Sequence, residues 1–208
     1  MAFYFKHYGG TMKNAISITF KKEAFDFIHN YKSWVAVAVV VVLPYFFTYF
    51  NREFEGIFFI CFILMAVCQY LYDSYLTDTT TKGMVFFRNS GASFTHIIMV
   101  KTLYAVLLSV IILLLDFPYT MVYFTLIDIL WFLPLVAAIA ATMQLATVFA
   151  RGAEIASALI TTCIIFGGVF LLFTLSTLMR AGVTMAAAII LVRLAYRSFN
   201  SLRYRTQL

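Results

Sequence analysis

The feature of this sequence that most constrains its fold is a series of apolar segments separated by short polar stretches. A hydrocarbon core of about 30 Å takes roughly 20 helical residues to cross, and a helix satisfies its own backbone hydrogen bonds within the membrane. We therefore predict an all-α integral membrane protein with six transmembrane helices. The apolar segments behind this prediction cover residues 34–50, 56–72, 102–117, 119–149, 155–178 and 181–192.

Composition indicates the same class of protein. Hydrophobic residues make up 63% of the 208 residues and charged residues 12%, far from the usual balance of a soluble domain. No polar stretch is long enough to enclose a water-soluble core, so we predict a single transmembrane domain over residues 1–208. The basic residues behind the net charge of +6 flank the apolar segments, which argues against nucleic-acid binding.

Lys and Arg residues are distributed unevenly between the two sides of the predicted bundle. Thirteen fall on the side of both termini and of the longest polar loop, and only Arg52 and Arg180 fall on the other. Because cytoplasmic loops carry the excess of Lys and Arg, we predict that both termini face the cytoplasm, in the inner or plasma membrane. Two cytoplasmic ends require an even number of crossings, which agrees with six.

Residues 12–31 precede the first span and have apolar side chains at helical spacing opposite a basic polar face. We predict an amphipathic helix that lies in the plane of the membrane interface. A peripheral anchor with no mechanistic role is the alternative.

Two predicted spans have irregular lengths. Segment 119–149 has 31 residues, too many for one untilted crossing. Segment 181–192 has only 12, so it spans only if Arg193 and Arg197 extend to the interface. The alternative is a re-entrant hairpin formed by the residues on either side of Arg180.

Residues 73–101 form the longest polar loop between apolar segments. Within it, an apolar patch precedes a turn-prone stretch, which suits a short surface helix with one face for a partner. An ordinary solvated connector is the alternative. The patch is Met84, Val85, Phe86 and Phe87, and the turn is Asn89, Ser90 and Gly91.

The order of these features resembles the permease subunits of type-2 ABC (ATP-binding cassette) exporters. In that family the loop after the second span carries acidic residues, Gly-Thr-Leu-Glu, an apolar run, a Thr-Pro turn, Ser-Arg and a Lys that opens the third span. Phe86 stands where the family has an acid, Gly91 stands where it has a Pro, and residues 83–101 are about one residue short of the family spacing. The matching residues here are Asp78, Lys82, Gly83, Met84, Val85, Phe86, Phe87, Ser90, Gly91, Ala92, Ser93 and Lys101.

The resemblance implies a permease subunit that dimerises with itself or a homologous permease and exports an amphipathic or hydrophobic peptide, lipid or drug-like molecule. It implies an ATP-binding cassette subunit as partner, which binds ATP and Mg, so that this chain needs no cofactor of its own. The segment expected to dock on that subunit is Lys82, Gly83, Met84, Val85, Phe86, Phe87 and Arg88. Alternatives are a haem-exporter-like permease of cytochrome c maturation and an ATP-independent channel or scaffold subunit.

Catalytic signatures do not occur in the sequence: it has no GxxxxGK[ST], HExxH or GxSxG pattern, and no CxxC pair for a metal. We therefore expect a non-enzymatic subunit, with no catalytic, cofactor or metal-binding residues and with membrane lipids as its surroundings.

Asp128 and Gln144 are the polar residues predicted inside membrane helices, with Asp128 about 13 Å along its segment from Tyr119. An ionisable group at such a depth is a candidate for the substrate pathway. A hydrogen-bonded Asp that pins neighbouring helices is the alternative.

Overall fold

The computed structural model describes residues 12–49, 56–79, 83, 85–86, 91–123, 125–149 and 154–205, and these residues form helices and no strand. The predicted all-α class is confirmed. The helices are α1 Met12–His29, α2 Tyr31–Tyr49, α3 Gly56–Thr79, α4 Phe94–Leu115, α5 Phe117–Tyr123, a 3-10 turn Leu126–Asp128, α6 Ile129–Phe149, α7 Glu154–Phe173 and α8 Thr177–Arg205.

Four of the described helices are long and apolar enough to cross a membrane. A fifth crossing results if α1 and α2, which meet at a bend of 59°, count as one broken span. The chain is therefore a multi-pass membrane protein by the length and composition of its helices. The four spans are Gly56–Asp78 of α3, Phe94–Leu115 of α4, Ile129–Thr147 of α6 and Thr177–Asn200 of α8.

Helix α3 occupies the centre of the bundle and packs against α2, α4 and α6. Large side chains fill this core, including Tyr70, Trp131 and Phe59, none of which is exposed. Helices α6 and α8 form the most extensive pair. Ala141 of α6 and Ala195 of α8 belong to one buried cluster, and such small residues let helix backbones approach closely.

Helix α1 forms where the periodicity predicts it, but its buried face differs from the prediction. Glu23 is fully buried, whereas Phe20, Phe25 and Ile28 are exposed. The charged side of the helix therefore faces the bundle, and several large apolar side chains face outward. The placement of α1 in the membrane interface stays a prediction.

The polar loop is shorter than the predicted 73–101, because α3 continues to Thr79 and α4 begins at Phe94. The hydroxyl oxygen of Ser93 accepts a hydrogen bond from the backbone N–H of His96 at 3.3 Å, and so caps α4. Gly91 has φ of +65°, the left-handed region that Gly adopts without steric cost. We call residues 80–93, between the two helices, the α3–α4 loop; among its described residues, Gly83, Val85 and Phe86 are helical.

Segment 119–149 does not form the single long segment that its apolar character predicts. Helix α5 ends at Tyr123, a 3-10 turn spans Leu126–Asp128, and α6 begins at Ile129. Pro134 lies inside α6 itself. The excess length is therefore taken up by a short helix and a turn.

The last helix is longer than the apolar segment 181–192 from which it was predicted. Helix α8 continues through Arg180, Arg193 and Arg197, so its membrane-crossing stretch has 24 residues. Residues 174–176 separate it from α7, so Arg180 lies within α8 and not in the turn between the two helices. The re-entrant hairpin stays an alternative prediction.

Candidate functional site

The main polar feature of the described bundle is a cluster of charged side chains that we call the ion network. Lys22, Glu23 and Asp26 come from α1, Asp78 from the last turns of α3, and Lys101 from the second turn of α4. It therefore joins three helices at the two ends of the α3–α4 loop.

Lys101 is at the centre of the network and its side chain is completely buried. Its Nζ lies 2.8 Å from Oε1 of Glu23 and 2.8 Å from Oδ2 of Asp78. It also donates a hydrogen bond to the hydroxyl of Ser74 and lies 4.7 Å from the centre of the Tyr75 ring. An ammonium group so far from water is stable only because acids and an aromatic face surround it.

Lys22 closes the network from the α1 side. Its Nζ lies 2.6 Å from Oδ1 of Asp78, 2.6 Å from Oδ2 of Asp26 and 3.2 Å from Oε1 of Glu23. Asp78 therefore bridges the two lysines, with one carboxylate oxygen directed at each. The same carboxylate connects α3 to both α1 and α4.

Glu23 receives hydrogen bonds from α3 in addition to its ion pairs. The hydroxyl of Ser74 donates to its Oε2 at 2.9 Å, and that of Tyr70 donates at 3.2 Å. Tyr70, Ser74 and Asp78 recur every four residues and so line one face of α3. This polar face explains how a helix that is otherwise apolar accommodates a charged neighbour.

The charges in α1 are held firmly ionised. Burial opposes the charge on Glu23, but the ammonium groups of Lys101 and Lys22 outweigh it and lower its pKa to about 2. Burial likewise opposes the charge on Lys22, but Asp78, Glu23 and Asp26 raise its pKa above its ordinary value. Glu23 and Lys22 therefore remain charged throughout the physiological pH range.

The network was not predicted from the sequence, although one signal was present. Lys101 stands within an apolar run, and a lysine in such a position requires an acidic partner. The partner Glu23 lies 78 residues away, and no local pattern connects the two.

Three of the predicted docking residues are described, and each contacts the bundle differently. At Gly83, a Cβ atom would lie 2.6 Å from the backbone oxygens of Thr77 and Asp78, so the loop folds back onto the end of α3 where only Gly fits. Phe86 is half-buried, and Val85 is 47% exposed. The predicted docking residues Lys82, Met84, Phe87 and Arg88 lie outside the described residues.

Phe86 packs against a second apolar cluster formed by the start of α4, α6 and the C-terminal half of α8, which includes Phe94, Ala141 and Phe199. Of the two described apolar docking residues, Val85 is thus the one available to a partner. Phe86 instead connects the loop to the cluster that α4, α6 and α8 share.

Asp128 lies in the 3-10 turn before α6 and is partly exposed, rather than inside a continuous helix. Its carboxylate accepts hydrogen bonds from the backbone N–H and the hydroxyl of Thr125 at 2.8 and 2.7 Å, and from the indole of Trp131 at 2.8 Å. Burial opposes its charge, but these hydrogen bonds hold its pKa below the usual range. Its role in a pathway stays a prediction.

Gln144 is buried in α6, and its side-chain oxygen has no hydrogen-bond partner. It lies about 24 Å along the helix from Asp128, at a rise of about 1.5 Å per residue. The two predicted pathway residues therefore do not form one site.

Arg180 lies near Asp128, at the end of the bundle away from the ion network. Its guanidinium donates to the backbone oxygens of Leu172, Leu175 and Phe173 at 2.9 to 3.0 Å. It also lies 4.7 Å from the centre of the Phe173 ring. Arg180 therefore caps the end of α7.

Asp116 joins α4 to α5 and is fully buried, and neither of its carboxylate oxygens has a hydrogen-bond partner among the described residues. Burial raises its pKa to about 6. Asp116 and Glu23 are both buried, but Glu23 has two lysine partners, whereas no described residue forms an ion pair or a side-chain hydrogen bond with Asp116.

Comparison with known proteins adds no relative. No family model matches the chain, and no curated protein or solved structure does so either.

Proposed function

We propose that this chain is the transmembrane subunit of an ATP-driven ABC exporter and that its α3–α4 loop receives the movement of a separate ATP-hydrolysing subunit. The ion network is the observation that supports this role best. Asp78 lies two residues before residue 80, where the loop begins, and Lys101 lies about two turns after α4 begins. The two ends of the loop are therefore joined by one buried ion pair.

Three contacts connect this loop and its flanking helices to the bundle. Gly83 lies against the backbone at the end of α3, Phe86 packs against the cluster shared by α4, α6 and α8, and the ion network links both flanking helices to α1. A displacement of a loop connected in this way moves packed helices rather than a free connector. This is the mechanical property that transmission from an ATPase requires.

The remainder of the proposal follows the resemblance described above. Six crossings, by α2, α3, α4, α6, α7 and α8, place both termini and the α3–α4 loop on the cytoplasmic side. A second permease copy or a homologue completes the pathway for an amphipathic or hydrophobic substrate, and the ATPase partner supplies ATP and Mg.

The test is purification of the tagged chain, in mild detergent, from cells that also express the neighbouring genes. We expect a co-purifying subunit that carries a phosphate-binding loop and hydrolyses ATP. Val85→Glu places a charge in the exposed docking position and should reduce the recovered ATPase by about tenfold. Val122→Glu is the matched control, because Val122 is 71% exposed on α5, at the other end of the bundle.

Two results would contradict the proposal. The first is a wild-type chain that purifies without any ATPase subunit and conducts solutes in vesicles without ATP, which would identify a channel. The second is an equal loss of ATPase from the Val85 and Val122 variants, which would show that the loop has no special part in docking.

A further inference from the structure

Helix α8 presents two arginines directly away from the bundle. Its buried side consists of Thr184, Ala188, Ala195 and Phe199, which face the neighbouring helices. At about 100° per residue, Arg193 and Arg197 lie roughly 160° and 200° around the helix from Ala195. Both are exposed.

The rotation of α8 about its axis is set by aromatic contacts with the start of α4. The ring of Phe94 lies 5.6 Å from that of Tyr196 and 5.4 Å from that of Phe199, centre to centre. The arginines therefore cannot turn toward the bundle without breaking this packing.

The arginines lie at the depth where a membrane's hydrocarbon ends. Arg193 is about 24 Å and Arg197 about 30 Å along the axis from Thr177, at a rise of about 1.5 Å per residue. A hydrocarbon core is about 30 Å thick. Guanidinium groups at this level extend along the helix to reach anions at the interface.

The acids of α1 and α3 at this end of the bundle already have partners. Glu23, Asp26 and Asp78 belong to the ion network, and a carboxylate oxygen of Asp73 accepts a hydrogen bond from Gln69 at 2.9 Å. None of these four acids pairs with the exposed face of α8. Lipid phosphate is the anion that a membrane supplies to such a face.

We propose that Arg193 and Arg197 bind the phosphate headgroup of an anionic phospholipid in the leaflet at the C-terminal end of α8. Residues four apart on a helix lie on the same face, so two guanidinium groups converge on one headgroup. Each guanidinium matches the geometry of a phosphate through paired N–H donors. The exposed apolar side chains of Ile189 and Ile190 continue this face toward the acyl chains.

The test counts retained lipids by native mass spectrometry while the purified protein is titrated with phosphatidylglycerol or phosphatidylcholine. We expect preferential retention of phosphatidylglycerol. The double variant Arg193→Gln/Arg197→Gln should bind it about tenfold more weakly. Lys21→Gln/Lys32→Gln is the matched control, because it removes the same charge from exposed positions of α1 and α2 and should change retention little.

A variant that keeps the charge guards against a folding defect. Arg193→Lys/Arg197→Lys should fold normally and retain an intermediate preference, since ammonium groups attract phosphate without the paired geometry. Unchanged phosphatidylglycerol binding in the Gln variant, or an equal loss in the Lys21 and Lys32 control, would overturn the proposal. The proposal would also be overturned if the Gln variant changed from a dimer to a monomer while its lipid binding stayed intact, because the arginines would then serve contact between copies of the chain.

Discussion

The two ends of the bundle hold charged side chains in opposite ways. In the ion network, Lys101 and Glu23 are fully buried and connect helices that are far apart in sequence. At the other end, Asp128 and Arg180 are partly exposed and bond mainly to nearby backbone and side chains. The ion network joins helices to one another, whereas Asp128 and Arg180 cap the ends of individual helices.

This difference separates charges that hold the bundle together from charges that only complete local structure. A buried ion pair is costly to break because the remaining charge stays in an apolar environment. An exposed partner can be replaced by water at little cost. Substitutions at the two ends should therefore differ strongly in their effects on stability.

The largest effect is expected for Lys101→Met, which leaves Lys22 as the one remaining cation of the ion network beside the buried carboxylates of Glu23 and Asp78. We expect a loss of about 3–5 kcal/mol, seen as a lower midpoint of thermal denaturation in detergent and a smaller monodisperse fraction. Adding Glu23→Leu should restore part of the stability. Lys21→Met, at an exposed position beside the network, is the control and should cost about 0.5 kcal/mol or less.

Asp116→Asn tests a buried charge that has no partner. The pKa of Asp116 is about 6 in the folded protein and 3.8 ordinarily, so its ionisation destabilises the fold increasingly as the pH rises from about 4 to 6, and fully above that. The variant should gain about 2 kcal/mol near pH 8 and almost nothing near pH 4, measured as thermal midpoints at both values.

Asp128→Asn tests the opposite case, a carboxylate whose charge is stabilised by hydrogen bonds. The pKa of Asp128 is lowered, so its ionised form stabilises the fold above the ordinary pKa, and this contribution is lost as the pH falls. The Asn variant should therefore lose stability near pH 8. If both variants change stability in the same direction, the contrast between an unpaired and a hydrogen-bonded carboxylate is wrong.

Arg180→Gln should have the smallest effect. The variant loses the charge that caps α7, but Gln can retain one hydrogen bond and water can reach the remaining carbonyls. We expect the free energy of unfolding to fall by about 1 kcal/mol, measured through a lower thermal midpoint. Amide hydrogen exchange at residues 171–175 should become faster. Arg193→Gln, exposed on the same helix, should leave exchange there unchanged. A loss as large as that of Lys101→Met would remove the distinction between the two ends.

Local sequence patterns predicted much of the helical architecture but little of the candidate site. The apolar segments identify α3, α4 and α6 as membrane helices, because a run of about 20 apolar residues can be recognised without knowing which other helices it packs against. The turn-prone Gly91 marks the loop before α4. Hydropathy ended the last apolar segment at residue 192 and left its extension past Arg193 as one of two alternatives, because a hydropathy pattern treats an arginine as an end although a helix can pass through it.

The sequence by itself determined that this chain enters a membrane as a bundle of helices, because hydropathy and helix length depend on neighbouring residues alone. Only the tertiary structure decided that Glu23 turns inward to Lys101, that Phe86 packs against the cluster shared by α4, α6 and α8, and that Asp116 is buried without a hydrogen-bond partner among the described residues. Those outcomes depend on which helix faces which across separations of up to 78 residues. Electrostatic pairing and packing at that range are properties of the assembled bundle.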